Sequence, residues 1–581
     1  MKKFVFSLLA IALLLPSPTL LAQTQGTNII RYGDTRHPVR DREGMVVSAD
    51  IVASEVGARV LADGGNAVDA AVAVGFALAV VRPRAGNIGG GGFMLVYFAV
   101  DGVTTAIDYR EAAPIGATRD MFLDADGNVD SRRTRSSHMS AGVPGTVAGL
   151  HLAHEMYGQL PWRRVLAPSI ELARNGFKVR YDLWRTWARS RARLSRDKSS
   201  LEYFFKENGD VYVPGDVFVQ ADLAWSLEQI AESGADAFYS GAIARKIVAE
   251  MERGGGLIDA ESLAAYKPVV REPVRGTYRG FEIVSMPPSS SGGIHVIQML
   301  NILENFPVRE YGAESADNVH LLVEVAKLAY ADRSQYLGDL DFYDVPIDWL
   351  MSKDYAKELA AGIDIHKAKP SAEIAPGIAP AKESIDTTHF SVIDRDGNMV
   401  ANSYTLNFSF GSGLSVDGAG FLLNNEMDDF VSKAGVPNAF GLIGGIANSI
   451  EVGKRPLSSM TPTMVFKDGE PILATGSPGG SRIIMSVLQM IVNVIDHQMN
   501  ISVASSAPRM HHQWLPDVVQ LESGFSPDTI RELQRRGHRV QGSSSTIGNV
   551  QTVSRREDYF LGAADPRRPG GSSVGPTSIR E

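Results

Sequence analysis

The feature that most constrains this chain lies at residues 388–406, where two strand-like runs, 388–393 and 399–406, flank Asp394-Arg395-Asp396-Gly397-Asn398. Strand formers on either side of a turn-forming cluster predict an antiparallel hairpin. A three-residue loop with Gly397 in the left-handed region pairs Asp394 with Asn398, and counting back sets Thr387 opposite Thr405. A two-residue loop would set Thr388 there instead; the three-residue form is the prediction. Two threonines facing each other at a strand start are, by themselves, more often a packing pair than a reactive one.

Residues 364–383 form the only strong composition break in the middle of the chain, with Pro370, Pro376 and Pro380 among alanines and charges. They predict an exposed, irregular segment that gives the backbone slack just before Thr387. A β-rich C-terminal third is expected after it. Upstream, one helical segment begins near Ser48 and ends at Gly64-Gly65, and a second spans 66–81 until Pro83 stops it. Asp69 and the limited length make the second a core helix, not a membrane span. Gly89 to Gly92 lead into a strand at 93–98, and another strand ends near Asp108-Tyr109-Arg110. The glycines lack a Gly-Lys-Ser/Thr ending and dinucleotide spacing, so they predict a tight turn where backbones pack closely. Helical periodicity dominates 147–355, with short strands expected at 276–285 and helix starts near Ser291 and Ser315.

At 581 residues, 44% hydrophobic and 21% charged, the composition is that of an ordinary globular protein. Lys2 and Lys3, an apolar run over 4–15 and a Pro16-Ser17-Pro18 break predict a secretory signal at 1–22. The mature protein is then periplasmic or secreted, with no membrane attachment after signal removal. The chain has no cysteine, which excludes disulfides, thiolate catalysis and a lipoprotein anchor. Without Lys2 and Lys3 there are 55 basic against 66 acidic side chains, a charge of −11. No nucleic-acid partner is expected; the cluster Arg185, Arg189, Arg191, Arg193 and Arg196 reads as the wet face of a helix. There is no HExxH spacing, and the adjacent His511 and His512 would point about 100° apart on a helix, so neither metal nor other cofactor is expected.

The runs Asp386-Thr387-Thr388-His389-Phe390-Ser391, Ser403-Tyr404-Thr405-Leu406-Asn407 and Leu423-Asn424-Asn425-Glu426-Met427-Asp428-Asp429 closely resemble the γ-glutamyltranspeptidase family of N-terminal-nucleophile hydrolases. Further matching motifs are GNIGGGGF (86–93), DYREAAP (108–114), GVPGTVAGL (142–150), KRPLSSM (454–460), GSPGGSR (476–482) and DPRRPGG (565–571). The resemblance covers nearly all of the mature chain. It implies an α+β fold, a four-layer αββα sandwich, and a precursor that cuts itself between Asp386 and Thr387. The products would be a large subunit, 23–386, and a small catalytic subunit, 387–581, forming one interlaced domain.

Cleavage would convert the Thr387 amide into an α-amine with a pKa of about 7.7 to 8.0, so that one residue supplies nucleophile and base. By the same resemblance Thr405 orients the Thr387 hydroxyl, and Gly479 and Gly480 supply oxyanion donors. Arg110, Ser458 and Ser459 take the α-carboxylate of a γ-glutamyl group, and Asn407, Glu426 and Asp429 its ammonium. Substrates would be glutathione and other γ-glutamyl compounds, with water, amino acids or peptides as acceptors. Residues 435–445 resemble a lid loop in which Phe440 stands where relatives commonly have tyrosine; the ring still excludes water, but the hydroxyl is lost.

Three alternatives compete with γ-glutamyl transfer. A β-lactam (glutaryl) side-chain acylase would have no use for Glu426 and Asp429 as ammonium receptors. Poly-γ-glutamate cleavage is disfavoured by the lid. A catalytically silent periplasmic γ-glutamyl-peptide binding protein would need neither Thr387 and Thr405 nor the Gly479-Gly480 turn.

Overall fold

The hairpin forms with the predicted register. Strands Thr388–Asp394 and Met399–Thr405 pair antiparallel with Thr388 opposite Tyr404, the Asp394 N–H donates to Asn398 O at 3.1 Å, and Gly397 has φ +88°. Thr387 therefore stands opposite Thr405. The Asp394 carboxylate fixes the turn by accepting from the N–H groups of Asp396 and Asn398, each at 3.0 Å. It also accepts from the Ala67 N–H at 2.8 Å, which ties the turn to the first residue of a core helix.

The structure, a computed structural model, describes residues 36–375, 387–433, 436, 438, 442, 444–543 and 546–580. The signal sequence, Asp386 and Phe440 lie outside the described residues.

Both hairpin strands are central in a seven-stranded antiparallel sheet. Its order is Ser572–Val574, Gly44–Ser48, Thr388–Asp394, Met399–Thr405, Gly91–Phe98, Val103–Tyr109 and Val269–Arg271. A second seven-stranded antiparallel sheet runs Val39–Asp41, Tyr559–Ala564, Gln551–Arg556, Glu470–Thr475, Thr463–Lys467, Phe281–Ser285 and Val274–Tyr278. Each sheet thus mixes strands from before and after Thr387.

Side-chain alternation divides the hairpin between two cores. Phe390, Val392, Val400 and Tyr404 pack with helices Ile51–Ala62 and Ala67–Val81. Ile393, Met399 and Ala401 face the second sheet with Met464, Leu473 and Val553. Helices Gly292–Leu303 and Ile501–Ser506 cover that sheet's far side. The result is the expected four-layer αββα sandwich, in which every hairpin strand residue is buried.

The helix predicted over 66–81 is Ala67–Val81, capped by the Asn66 side chain and buried along its whole length. Ser291 and Ser315 precede helices Gly292–Leu303 and Ala316–Tyr336 as expected. A Cβ on Gly90 would lie 2.0 Å from Thr405 O, and one on Gly89 2.2 Å from Leu422 O, so the glycine run is indeed a site of backbone contact. On helix Tyr181–Leu194, Leu183, Trp187 and Leu194 are buried while Arg185, Arg189 and Arg191 are exposed. Among the described residues no helix is long and apolar enough to cross a membrane.

The short strands expected at 276–285 are the arms of a hairpin, Val274–Tyr278 and Phe281–Ser285, reversed at Arg279 and Gly280, which both take positive φ. The C-terminal third is rich in strands as expected and also carries helices Arg482–Ile495 and Pro527–Arg535. His511 ends the short strand Met510–His511, so helical geometry does not apply to the histidine pair.

Candidate active site

Alternation places Thr387 and Thr405 on the face directed at the second sheet, the face that also carries His389 and Ser403, whose side chains hydrogen-bond at 2.8 Å. Thr387 Oγ1 donates to Thr405 Oγ1 at 3.4 Å, a long bond. Thr405 Oγ1 also accepts from the Asn407 N–H at 2.9 Å. The Thr405 carbonyl is held independently by Asn87 Nδ2 at 3.0 Å. Across the gap, strand Glu470–Thr475 runs on into Gly479 and Gly480, with φ +143° and +56°. Among the described residues their N–H groups donate to no acceptor. Helix Arg482–Ile495 begins just beyond and adds the partial positive charge of its N-terminus.

One cavity joins these groups to a charged pocket. Its wall includes Arg110, Arg333, Thr387, Thr405, Asn407, Glu426, Asp429, Ser458, Ser459 and Gly480. Arg110 follows strand Val103–Tyr109 and is anchored by donating its Nε to Pro456 O at 3.2 Å. Its guanidinium donates to Glu426 and, at 2.6 Å, to Asp429 Oδ2. Asn407 sits at φ +73° and donates its Nδ2 to Asn425 O at 2.9 Å. Two buried acceptors, Asn407 Oδ1 and Glu426 Oε2, have no hydrogen-bond partner among the described residues. Ser458 Oγ accepts from the Met460 N–H at 3.1 Å, and Ser459 Oγ accepts from Arg333 Nη2 at 3.3 Å.

Burial dominates the electrostatics. It pushes the carboxyls of Glu426 and Asp429 above the ordinary range despite Arg110, and raises Glu111 to about 7. Burial also opposes the Arg110 charge, but Glu426, Glu111 and Asp429 outweigh it and hold that guanidinium above its usual value. Arg333, with no carboxylate in contact among the described residues, is lowered by burial to about 10. His389 is lowered by burial to about 3 and is neutral.

The structure thus brings together nine of the sequence-predicted site residues: Thr387, Thr405, Asn407, Arg110, Glu426, Asp429, Ser458, Ser459 and Gly480. Gly479 stands one residue behind the wall. Asp386 and Phe440 lie outside the described residues, although Leu442 from the same loop lines the cavity and Asn438 Nδ2 approaches Asp429 Oδ1 at 3.5 Å. Sequence reasoning missed Arg333. Its signal is a helix, Ala316–Tyr336, in which Asn318–Lys327 and Ala329–Arg333 are buried, charges included. A helix enclosed on all sides must find partners for its charges.

The same helix brings His320 and Glu324 to His538, a grouping that ligand-spacing motifs do not reveal. His320 Nε2 donates to Asp364 O at 2.8 Å, which leaves Nδ1 as acceptor toward His538 Nε2 at 2.6 Å. Glu324 accepts from Lys327 Nζ at 2.8 Å. Neutral hydrogen bonds and one ion pair account for each group, and the Lys327 ammonium already stands where a cation would be attracted.

The family model described as Gamma-glutamyltranspeptidase matches residues 53–575. The chain belongs to the γ-glutamyltranspeptidase family. It is 54% identical over 545 residues to the glutathione hydrolase proenzyme of Escherichia coli (strain K12), covering 93% of each chain. It is 45% identical to the glutathione hydrolase proenzyme of Pseudomonas sp. (strain A14), over 94% of this chain and 96% of that one. Among solved structures it resembles a cephalosporin acylase from Bacillus halodurans at a TM-score of 0.83 and 28% identity, over 94% of this chain and 98% of the other.

Proposed function

We propose that the protein is an exported precursor that cuts itself before Thr387 and then acts as a γ-glutamyltransferase and glutathione hydrolase. The observation that carries this is the single cavity holding the Thr387 hydroxyl, the Gly480 backbone and a paired set of opposite charges. In processing, Thr387 Oγ1 attacks the Asp386 carbonyl, the peptide C–N bond breaks, and water hydrolyses the resulting ester. The freed α-amine then accepts the Thr387 proton as Oγ1 attacks the γ-carbonyl of a donor. The N–H groups of Gly479 and Gly480 stabilise the oxyanion. The amine proton passes to the leaving amine, and the γ-glutamyl ester on Thr387 is transferred to water or to an amino acid or peptide.

The pocket chemistry suits a zwitterionic α-amino-acid head. Arg110 contacts both Glu426 and Asp429. A donor's carboxylate would take up Arg110 while its ammonium took up the two acids and the unpartnered Asn407 Oδ1. Each buried charge keeps an opposite partner through that exchange, which limits the desolvation cost. A glutaryl donor lacks the ammonium and would leave the acids unmatched, which disfavours the acylase activity of the structural relative.

The test compares wild type with Thr387→Ala on denaturing gels and in release of a chromogenic amine from a γ-glutamyl anilide. Wild type should run as two bands and release the amine, and the variant should do neither. A full-length, inactive wild type would refute the proposal; a cleaved protein active only on glutaryl anilide would establish the acylase instead.

A further inference from the structure

Arg333 is the one wall cation that touches no carboxylate among the described residues. Its Nε donates to Ser291 Oγ at 2.9 Å and its Nη2 to Ser459 Oγ at 3.3 Å. Ser291 Oγ in turn donates to Ser458 O at 2.8 Å, so one guanidinium braces both serines of the pocket. Ser459 Oγ accepts from Arg333 and Ser458 Oγ accepts from the Met460 N–H, yet neither hydroxyl proton meets an acceptor among the described residues. A hydroxyl whose oxygen is already engaged has its proton to give. Both protons, and the Arg333 charge, belong to a wall they share with Arg110.

We propose that Arg333 is a positioning residue for the donor's α-carboxylate, turning the Ser459 O–H toward it and adding a second positive charge beside that of Arg110. This rests on the γ-glutamyl donor proposed above. A purely structural role would be met at lower cost by an apolar side chain of similar length, because a buried guanidinium whose hydrogen bonds among the described residues go only to hydroxyls is expensive.

The experiment measures calorimetric binding of L-glutamate, glutarate and 4-aminobutyrate to the processed protein. Glutarate keeps the carboxylate without the ammonium; 4-aminobutyrate keeps the ammonium without that carboxylate. Arg333→Met should weaken L-glutamate and glutarate by about 10- to 100-fold, as for loss of a charge-assisted hydrogen-bond set, and leave 4-aminobutyrate within about threefold. Arg333→Lys restores charge without the fork and should fall between. It carries the same contrast between ligands if the methionine variant does not fold. In a Ser459→Ala background the Arg333→Met loss should shrink. Equal weakening of all three ligands, no weakening of any, or a wild type that binds none of them would overturn the assignment. A wild type that binds L-glutamate but releases no amine from the anilide refutes γ-glutamyl transfer, and the ligand contrast still decides Arg333.

Discussion

Replacing Thr405 by valine removes a hydroxyl and almost nothing else. The side chains are nearly isosteric, valine suits a strand, and the Thr405 carbonyl stays anchored by Asn87 at 3.0 Å. Two interactions of that hydroxyl with described residues disappear. The 3.4 Å contact from Thr387 is long and contributes about 0.5–1 kcal/mol. The 2.9 Å bond from the Asn407 N–H is short, and leaving that buried donor unmatched costs about 1–3 kcal/mol. Asn407 is held at φ +73°, so freeing its amide also loosens the residue proposed to present Oδ1 to the ammonium. A combined loss of about 2–3 kcal/mol corresponds to roughly 100-fold in rate. Thr405→Val should therefore process slowly, by band conversion over time on denaturing gels. Once cut, it should release anilide amine with both a lower kcat and a higher KM. Thr405→Ser should recover most of both. A valine variant within twofold of wild type, or a serine variant as impaired as valine, would refute the role assigned to this hydroxyl.

Asp429→Asn keeps a hydrogen bond to Arg110 but removes the anion proposed to receive the donor's ammonium; KM for γ-glutamyl anilide should rise about 10- to 100-fold, and weak activity on glutaryl anilide should not fall in step. Glu111 titrates near 7 when folded against an ordinary 4.5, so between these values the folded protein holds the extra proton and stability falls as pH rises. Glu111→Gln should abolish that decline in denaturant melts from pH 5 to 8, a gain on the order of 3 kcal/mol at pH 8; unchanged pH dependence would rule Glu111 out. Gly90→Ala drives a Cβ to 2.0 Å from Thr405 O and should leave the chain insoluble or uncut, which expression and gels would show.

The hairpin was legible because its turn chemistry and strand alternation agree on one register, and the core helix because Asn66 and Pro83 bound an unbroken apolar run. Arg279 was not, since a non-glycine residue at φ +52° carries no turn signature of its own. Charged residues such as Arg110 and Asp429 could be assigned only through family motifs, because sequence spacing says nothing of two groups that meet across more than 300 positions. Arg333 escaped for a related reason: its partners, Ser291 and Ser459, come from separate segments and are ordinary residues until a fold brings them to one guanidinium.

The mixing of strands in the two sheets has a mechanical result. Five ladders join strands that precede Thr387 to strands that follow it. Once the chain is cut, the fragments could part only by unzipping both sheets together, so separation and unfolding would be one event. Dilution should not dissociate the pair, and its melting temperature should be insensitive to protein concentration on practical time scales. Fragments made apart would each expose open strand edges to one another and to copies of themselves, so the intact precursor serves as the template that sets both chains in register before the link between them is lost.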